Sequence, residues 1–272
     1  MSRNQDRLGG AKKNNNAPPK TTEGFSFVIP TEFVELPSQG RYYPEGHPLH
    51  NESSIEIKQM TAKEEDILTS RTLLKKGVAL DRLIQSLIVD KTIDPNTLLI
   101  GDRNAIIVSA RVSGYGNVYS TKVDCPACNT RQNYSFDLNS ANINEGEVDT
   151  SFGVTDNGDG TVTCVLPKTE ITVVAKLLTG RDEKSIANMI KGDNLVSKQL
   201  EAMIISVNGD SSKNAINYVA NNLPSIDSRH LRMVVKDATP NVDLTQEFSC
   251  SECGHTQEME VPLTADFFWP NR

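Results

Sequence analysis

Four of the five cysteines form two C-x-x-C pairs, made of Cys125, Cys128, Cys250 and Cys253. Each pair lies between two segments in which polar and apolar residues alternate, a pattern typical of β-strands. The two-residue spacing lets both sulfurs of a pair point to one side of a turn. Asn129 and Gly254, which follow the pairs, tolerate the left-handed backbone that such a turn requires. Each unit is therefore predicted to be a strand, a cysteine turn and a second strand.

Two such turns together offer four thiolates at tetrahedral spacing, which is the arrangement of a zinc ribbon. We predict a structural Zn²⁺ held by the four paired cysteines, Cys125, Cys128, Cys250 and Cys253. Four protein ligands leave no open coordination position, so this metal would not act as a Lewis acid in catalysis.

Two other chemistries stay open for the cysteine pairs. A thioredoxin-like redox pair would place a C-x-x-C at a helix N-terminus, whereas both pairs here lie between strands. An iron–sulfur cluster uses the same ligands but at a more crowded spacing. His255 follows the second pair and is expected to lie beside the site without ligating the metal. Cys164 is interpreted as a buried free thiol.

The composition excludes several classes of protein. The 272 residues include 28 basic and 35 acidic side chains, for a net charge of −7. No apolar run is long enough to span a membrane, and the polar N-terminus lacks the apolar region of a secretory signal. We therefore expect a cytosolic protein with no membrane-spanning segment, in which cysteines serve as metal ligands or free thiols. The acidic balance argues against nucleic-acid binding.

The first segment of the chain, residues 1–24, contains almost no large apolar side chains. Its net charge is +3, which leaves −10 for the rest of the chain. Because it cannot bury enough apolar surface to offset the entropy of ordering, we predict a disordered basic tail. It would serve as a solubilising linker or as an arm that orders on a partner subunit.

The patterning beyond the tail predicts an α+β protein. Short strands around a turn-rich loop are expected at residues 25–29, 36–40 and 55–58. His47 and His50, in this loop, are interpreted as loop residues without a ligand role.

Three helices are predicted to follow. The first begins at Thr61, where Glu64 completes a capping box, and ends at Gly77. The second carries an apolar stripe over residues 80–88, and the third runs over residues 102–112.

The middle of the chain changes pattern twice. Residues 151–178 predict a β-hairpin followed by another strand. Helices are then expected near residues 186–190, 195–207, 215–223 and 231–235. Asp227 or Ser228 would be the N-cap of the last helix.

These elements predict four parts of the chain. The disordered tail, residues 1–24, precedes an N-terminal α+β domain, residues 25–140, that ends in the first cysteine turn. A β-hairpin and helical subdomain, residues 141–242, is inserted between the two halves of the metal site. The second cysteine turn and a C-terminal strand occupy residues 243–272.

The usual catalytic signatures are absent from the sequence. It contains no G-x-S-x-G, no P-loop and no H-E-x-x-H motif, and the glycines near residue 115 lack dinucleotide-binding spacing. We therefore predict a protein that is not an enzyme and has no small-molecule substrate.

Several short segments of the sequence form a distinctive set: Leu36-Pro37-Ser38-Gln39-Gly40 with Tyr43, Met60-Thr61-Ala62-Lys63-Glu64-Glu65, Gly101-Asp102-Arg103, Ser113-Gly114-Tyr115-Gly116 and the first cysteine turn. Together they resemble the N-terminal half of the baseplate hub proteins of T-even-type contractile-tailed phages. The helical insert and the second cysteine turn are also similar to the longer members, and the resemblance covers most of residues 25–263. It implies a structural subunit or assembly factor of the central baseplate hub, without catalysis. The four paired cysteines are the only site residues that carry over.

The resemblance leads to the preferred hypothesis, a zinc-stapled structural or assembly protein that binds other hub and tail proteins. It would be found in the host cytoplasm during assembly and in the virion tail baseplate. The alternative is a zinc-ribbon protein associated with nucleic acid or the transcription machinery.

Overall fold

A computed structural model describes residues 28–148, 150, 153–189, 194–262 and 265–268. The predicted tail, most of the predicted strand at 25–29 and the end of the C-terminal strand lie outside the described residues. Within them the protein is a mixture of helices and small antiparallel sheets, which confirms the α+β class.

The described chain contains twelve strands and eight α-helices. The strands are β1 (Thr31–Glu35), β2 (Ser54–Lys58), β3 (Val118–Asp124), β4 (Arg131–Asp137), β5 (Asn142–Asn144), β6 (Val154–Asp156), β7 (Thr161–Val165), β8 (Thr172–Lys176), β9 (Ile204–Val207), β10 (Asn241–Asp243), β11 (Thr245–Ser249) and β12 (Thr256–Glu260). The helices are α1 (Ala62–Thr69), α2 (Arg71–Lys75), α3 (Ala79–Leu87), α4 (Ile100–Tyr115), α5 (Gly180–Met189), α6 (Leu195–Met203), α7 (Lys213–Asn222) and α8 (Ser225–Ala238). Short 3-10 turns add Leu138–Ser140 and Ala265–Phe268.

The N-terminal sheet differs from its prediction. β1 and β2 pair as an antiparallel ribbon, so β2 confirms the strand expected at 55–58. The strand predicted at 36–40 is wrong, and the one predicted at 25–29 lies mostly outside the described residues. Residues 28–30 are not in a strand, and residues 36–40 form a turn in which Gln39 and Gly40 both have positive φ. A Cβ on Gly40 would lie 2.4 Å from the backbone nitrogen of Glu52, so close packing excludes an ordinary strand residue there.

The helical region after β2 begins and ends where its capping residues predict. The Glu64 carboxylate accepts hydrogen bonds from the Thr61 backbone N–H at 3.0 Å and from its hydroxyl at 2.6 Å, which confirms the capping box. The predicted single helix is broken at Ser70, whose backbone is extended and whose hydroxyl caps α2. Gly77 has a φ of 65° and ends this helical stretch as predicted. α3 buries its stripe except for Leu80, which is exposed.

Glu64 also joins three elements through its fully buried carboxylate. Lys58 on β2 donates to it at 2.7 Å and Ser86 on α3 donates at 2.5 Å. Burial by itself would raise the pKa of Glu64, but the hydrogen bonds from Lys58, Ser86 and Thr61 lower it to about 2.

The lowered pKa of Glu64 predicts a pH-dependent contribution to stability. A carboxyl that is more acidic in the folded state stabilises the protein above its unfolded pKa, and the contribution is lost as the pH falls through the folded value. We expect Glu64→Gln to lower the free energy of unfolding by about 3 kcal/mol near pH 6. The difference from wild type should shrink steadily between about pH 5 and pH 2. Urea unfolding at a series of pH values measures it, and a difference that stays constant over this range would contradict the assignment.

Helix α4 runs through the middle of the N-terminal region. It is longer than the predicted 102–112 because it begins at Ile100 and continues to Tyr115, where Gly116, with a φ of 83°, ends it. Gly101 lies against the inserted segment: a Cβ there would be 1.8 Å from the Pro240 carbonyl oxygen. This close approach lets α4 pack directly on β10.

Two further antiparallel hairpins, β3–β4 and β11–β12, confirm the strand, turn and strand units predicted around the cysteine pairs. β5 pairs with β10, so the two ends of the segment between these hairpins are joined by backbone hydrogen bonds.

Within that segment, β6, β7, β8 and β9 form a four-stranded antiparallel sheet. The β6–β7 hairpin and the following strand β8 were predicted. The helix predicted over residues 195–207 is wrong beyond Met203, because Ile204–Val207 is β9 and pairs with β8. Its apolar residues are equally compatible with either structure, and pairing with an available sheet edge decides between them.

The N-cap predicted for α8 is also wrong. The helix begins at Ser225 after Pro224, so Asp227 lies inside its first turn. The fully buried Asp227 carboxylate accepts hydrogen bonds from the backbone N–H groups of Lys168 and Thr169 at 2.8 and 2.9 Å. Burial opposes ionisation, yet hydrogen bonds from Thr169 and Lys168 lower the pKa of Asp227. Asp227 thus fixes α8 to the β7–β8 turn instead of capping its own helix.

Every helix in the described part of the chain is too short or too polar to span a lipid bilayer.

Candidate metal centre

The two cysteine turns have equivalent backbone geometry. In the first, the Cys125 N–H donates to the Thr130 carbonyl at 3.0 Å, and the Asn129 N–H donates to the Cys125 carbonyl at 2.8 Å. In the second, the Cys250 N–H donates to the His255 carbonyl at 2.9 Å, and the Gly254 N–H donates to the Cys250 carbonyl at 3.0 Å. Asn129 and Gly254 have φ values of 56° and 69°, as the turn prediction requires.

The four sulfurs of the paired cysteines converge on one point. All four lie within 4.8 Å of one another. The Sγ of Cys125 is 3.8 Å from that of Cys253, and the Sγ of Cys128 is 3.7 Å from that of Cys250. Four sulfurs placed tetrahedrally at a Zn–S distance of about 2.3 Å would be about 3.8 Å apart. The cluster therefore has the size and donor set to hold a metal ion, and its sulfurs are too far apart for disulfides.

Contacts between the hairpins bring the two cysteine pairs together. The Gln132 side chain on β4 donates to the Ser249 carbonyl at 3.2 Å and accepts from the Ser251 N–H at 3.0 Å. Tyr134, next on the same face, donates to the Glu247 carbonyl at 3.0 Å, and its ring centroid is 5.1 Å from that of buried Phe248. Aromatic packing and side-chain hydrogen bonds thus fix one hairpin against the other.

The site is half-buried, since Cys125 and Cys250 are buried whereas Cys128 and Cys253 are exposed. Hydrogen bonds from Thr130 lower the pKa of the Cys128 thiol to about 6. The His255 N–H favours the Cys253 thiolate, but burial and the neighbouring thiols raise the pKa of Cys253 to about 12. The thiols therefore compete for ionisation, and a bound cation would stabilise all four as thiolates.

The other candidate ligands lie outside this cluster. The His255 ring lies 3.4 Å from the Gln257 side chain. Cys164 is fully buried on β7, and burial raises the pKa of its thiol to about 11. His47 and His50 lie in the turn-rich loop before β2, as interpreted from the sequence, and contact Thr97 and the Tyr43 carbonyl.

A buried polar network that the sequence analysis did not predict lies in the N-terminal region. The Asp102 carboxylate accepts from the Ser38 N–H at 3.0 Å, from the Ser38 hydroxyl at 2.6 Å and from the Tyr43 hydroxyl at 2.6 Å. Tyr43 in turn accepts from the Leu99 N–H at 3.1 Å. Burial raises the pKa of Asp102 although these donors oppose the rise. Ser38, Tyr43 and Asp102 all lie in the segments that carry the family resemblance, and this shared origin was the one sign in the sequence that pointed to such a network.

Other segments that carry the family resemblance also make close contacts within the N-terminal region. A Cβ on Gly114 would lie 2.6 Å from the end of the Met60 side chain, so the glycine makes room for it. Arg103 donates to the Pro95 carbonyl at 2.8 Å and pairs with Asp81 at 2.7 Å. These motifs therefore contribute to the packing of the N-terminal region.

A buried arginine joins the C-terminal segment to α4. The fully buried Arg111 guanidinium donates to the carbonyls of Phe267, Gly116 and Val118. It also lies within 6.0 Å of the ring centroids of Tyr115, Tyr119 and Phe267. Cation–π attraction and three carbonyl acceptors offset the desolvation of its charge.

The described residues thus form a mixed helix-and-sheet protein with a four-cysteine cluster that could hold a metal ion. The family model described as T4 bacteriophage base plate protein matches residues 29–269. The chain belongs to this T4-like phage baseplate family, which confirms the resemblance at the level of the family. No curated protein and no solved structure matches the chain.

Proposed function

We propose that this chain is a structural or assembly protein of the central hub of a contractile phage tail baseplate. Membership of the T4 bacteriophage base plate family carries this proposal. The position in the hub rests on the resemblance of the short motifs around Ser38, Thr61 and Asp102. The chain would act by presenting surfaces to other tail proteins and not by catalysis.

The metal in this proposal is a structural Zn²⁺ bound by Cys125, Cys128, Cys250 and Cys253. The 3.7 and 3.8 Å sulfur separations support tetrahedral coordination by four thiolates. Such a site has no free coordination position, so its role would be to hold the two hairpins together. In the ion-bound state the cluster would carry a charge of about −2.

The proposed organisation follows from the same site. Residues 141–242 would form a subdomain inserted between an N-terminal domain, residues 25–140, and a C-terminal segment, residues 243–272, with residues 1–24 as a basic tail. The β5–β10 pairing and the cysteine cluster support this division, because both join the two ends of the insert. The insert would then have a fixed base on the rest of the protein.

A test of the proposed function uses infected cells that produce the full chain with an affinity tag. We expect it to sediment with the central hub subunits in baseplate assembly intermediates from the host cytoplasm and in finished tails. An unrelated host protein with the same tag is a suitable control, because it should not sediment with tail particles. A chain that never sediments with hub subunits would contradict the hub assignment, and its absence from every baseplate intermediate and every tail fraction would contradict the baseplate role.

The same preparation separates this function from a nucleic-acid role. The cysteine hairpins carry Asp124, Glu252, Glu258 and Glu260 alongside only Lys122 and Arg131, a balance that does not favour phosphate binding. We expect no shift of single-stranded or duplex DNA at moderate salt. Tight, salt-dependent binding of DNA would instead support a nucleic-acid-associated ribbon.

A further inference from the structure

An open groove of about 710 Å³ lies between the N-terminal ribbon, α1, α2 and α3. Most of its exposed lining is apolar, and four basic side chains are part of that lining. The lining residues include the apolar Ile29, Ile67, Leu73, Ile88 and Val89 and the basic Lys58, Lys63, Arg82 and Lys91. This volume falls within the range of sites that hold a ligand or several side chains of a partner.

The positive charge of the groove is only partly balanced. Glu64 pairs with Lys58 but is fully buried behind it. Lys63 and Arg82 have no carboxylate partner among the described residues, and Glu65, the next acidic residue on α1, contacts Tyr115 instead. The groove therefore presents uncompensated cations on a protein whose net charge is −7.

Lys91 adds a further positive charge to the groove, and hydrogen bonds hold its ammonium in place. Its ammonium donates to the carbonyls of Gln85, Ser86 and Ile88 at the C-terminal end of α3. Burial, followed by the charges of Lys58 and Lys63, lowers the pKa of Lys91. The lysines are thus close enough to repel one another, and an added negative charge in the groove would relieve this repulsion.

The chain's own N-terminal residues have the wrong charge to fill the groove. Ile29 and Thr31 line it, so residues 1–27 join the described chain beside it. Those residues carry five basic and two acidic side chains. A net positive segment is repelled by a positive groove, so the complementary occupant is acidic.

We propose that this groove binds an acidic segment with interspersed apolar side chains from a neighbouring tail protein. Carboxylates would pair with the exposed Lys63 and Arg82 while apolar side chains cover Ile67 and Val89. The identity of the partner as a tail protein rests on the proposed function, whereas the chemistry of the groove does not. A phosphate backbone would use the cations but would leave the apolar floor uncovered, so a peptide fits better.

Binding of a labelled peptide of alternating Glu and Leu to the full-length protein tests this proposal by fluorescence anisotropy. We expect saturable binding that weakens with salt. The double variant Lys63→Glu/Arg82→Glu should raise the dissociation constant at least about tenfold, or about 1.4 kcal/mol. Both side chains are exposed, so the variant should keep the wild-type melting temperature.

The matched control is Arg229→Glu/Lys236→Glu, which makes the same charge change at two exposed positions of α8. Its affinity for the Glu–Leu peptide should fall much less than that of the groove variant. No binding, equal loss in both variants or equal binding of a Lys–Leu peptide would overturn the proposal. Tighter, groove-dependent binding of single-stranded DNA would do the same. A chain that binds the peptide as expected but fails to sediment with tails would refute the baseplate role and leave the groove assignment standing.

Discussion

Cys250→Ser is expected to release the metal and to loosen both cysteine hairpins at once. The sulfur of Cys250 lies 3.7 Å from that of Cys128 on the other hairpin, so one substitution breaks a site that both share. Structural zinc contributes on the order of 10 kcal/mol to the folding of small zinc domains. We expect the free energy of unfolding to fall by at least about 5 kcal/mol and the melting temperature by more than about 10 °C. Elemental analysis should find a zinc ion per wild-type chain and almost none in the variant.

The chain provides its own control in Cys164, a buried thiol on β7 outside the cluster. Cys164→Ala should keep the metal and cost only about 1 kcal/mol, the loss of a small packed side chain. Chelation of the wild-type protein should reproduce the effect of Cys250→Ser. An unchanged melting curve after the metal has been removed would show that metal binding by the cysteines does not stabilise the fold.

Asp102→Ala is expected to be strongly destabilising although Asp102 lies outside the cysteine cluster. It removes the acceptor of three hydrogen bonds from Ser38 and Tyr43. Because Asp102 is fully buried, water cannot replace the carboxylate, and an unpaired buried donor costs about 1–3 kcal/mol. We expect the free energy of unfolding to fall by about 4 kcal/mol while the zinc content is unchanged. Urea unfolding and elemental analysis of the same sample measure both quantities.

Two matched variants separate burial from hydrogen bonding in this prediction. Asp90 accepts from the Thr92 N–H and hydroxyl but is exposed, so Asp90→Ala should cost no more than about 1 kcal/mol. Tyr43→Phe removes one of the three donors and should cost an intermediate amount. Equal losses for Asp102→Ala and Asp90→Ala would mean that burial of the network contributes nothing.

Local signals predicted much of the fold. The capping box of Thr61 and Glu64, the stop at Gly77 and the β6–β7 hairpin are each set by residues close together in the chain. The predictions that were wrong concern residues whose structure depends on contacts with distant parts of the chain. Ile204–Val207 carries apolar residues that suit a helix or a strand, and only the free edge of β8 makes it a strand. Asp227 has the side chain of an N-cap, but the turn before β8 uses its carboxylate.

The candidate metal site also combines features set by neighbouring residues with features set by contacts between distant ones. Each C-x-x-C turn, with Asn129 or Gly254 in the left-handed region, is specified by a few consecutive residues. The sequence alone therefore predicted two sulfur pairs and their hairpins. What joins them is tertiary: Gln132 and Tyr134 of one hairpin contact the other, and β5 pairs with β10.

The α+β class, the family resemblance and the two cysteine turns could be predicted from the sequence, because short-range hydrogen bonds and residue spacing set these features. The meeting of four sulfurs within 4.8 Å is instead a result of packing in three dimensions. The same holds for the burial of Asp102 against Ser38 and Tyr43, and for the groove that Lys63 and Arg82 line on an acidic chain. Each of these depends on residues far apart in sequence, whose proximity follows from burying a shared core and not from any local pattern.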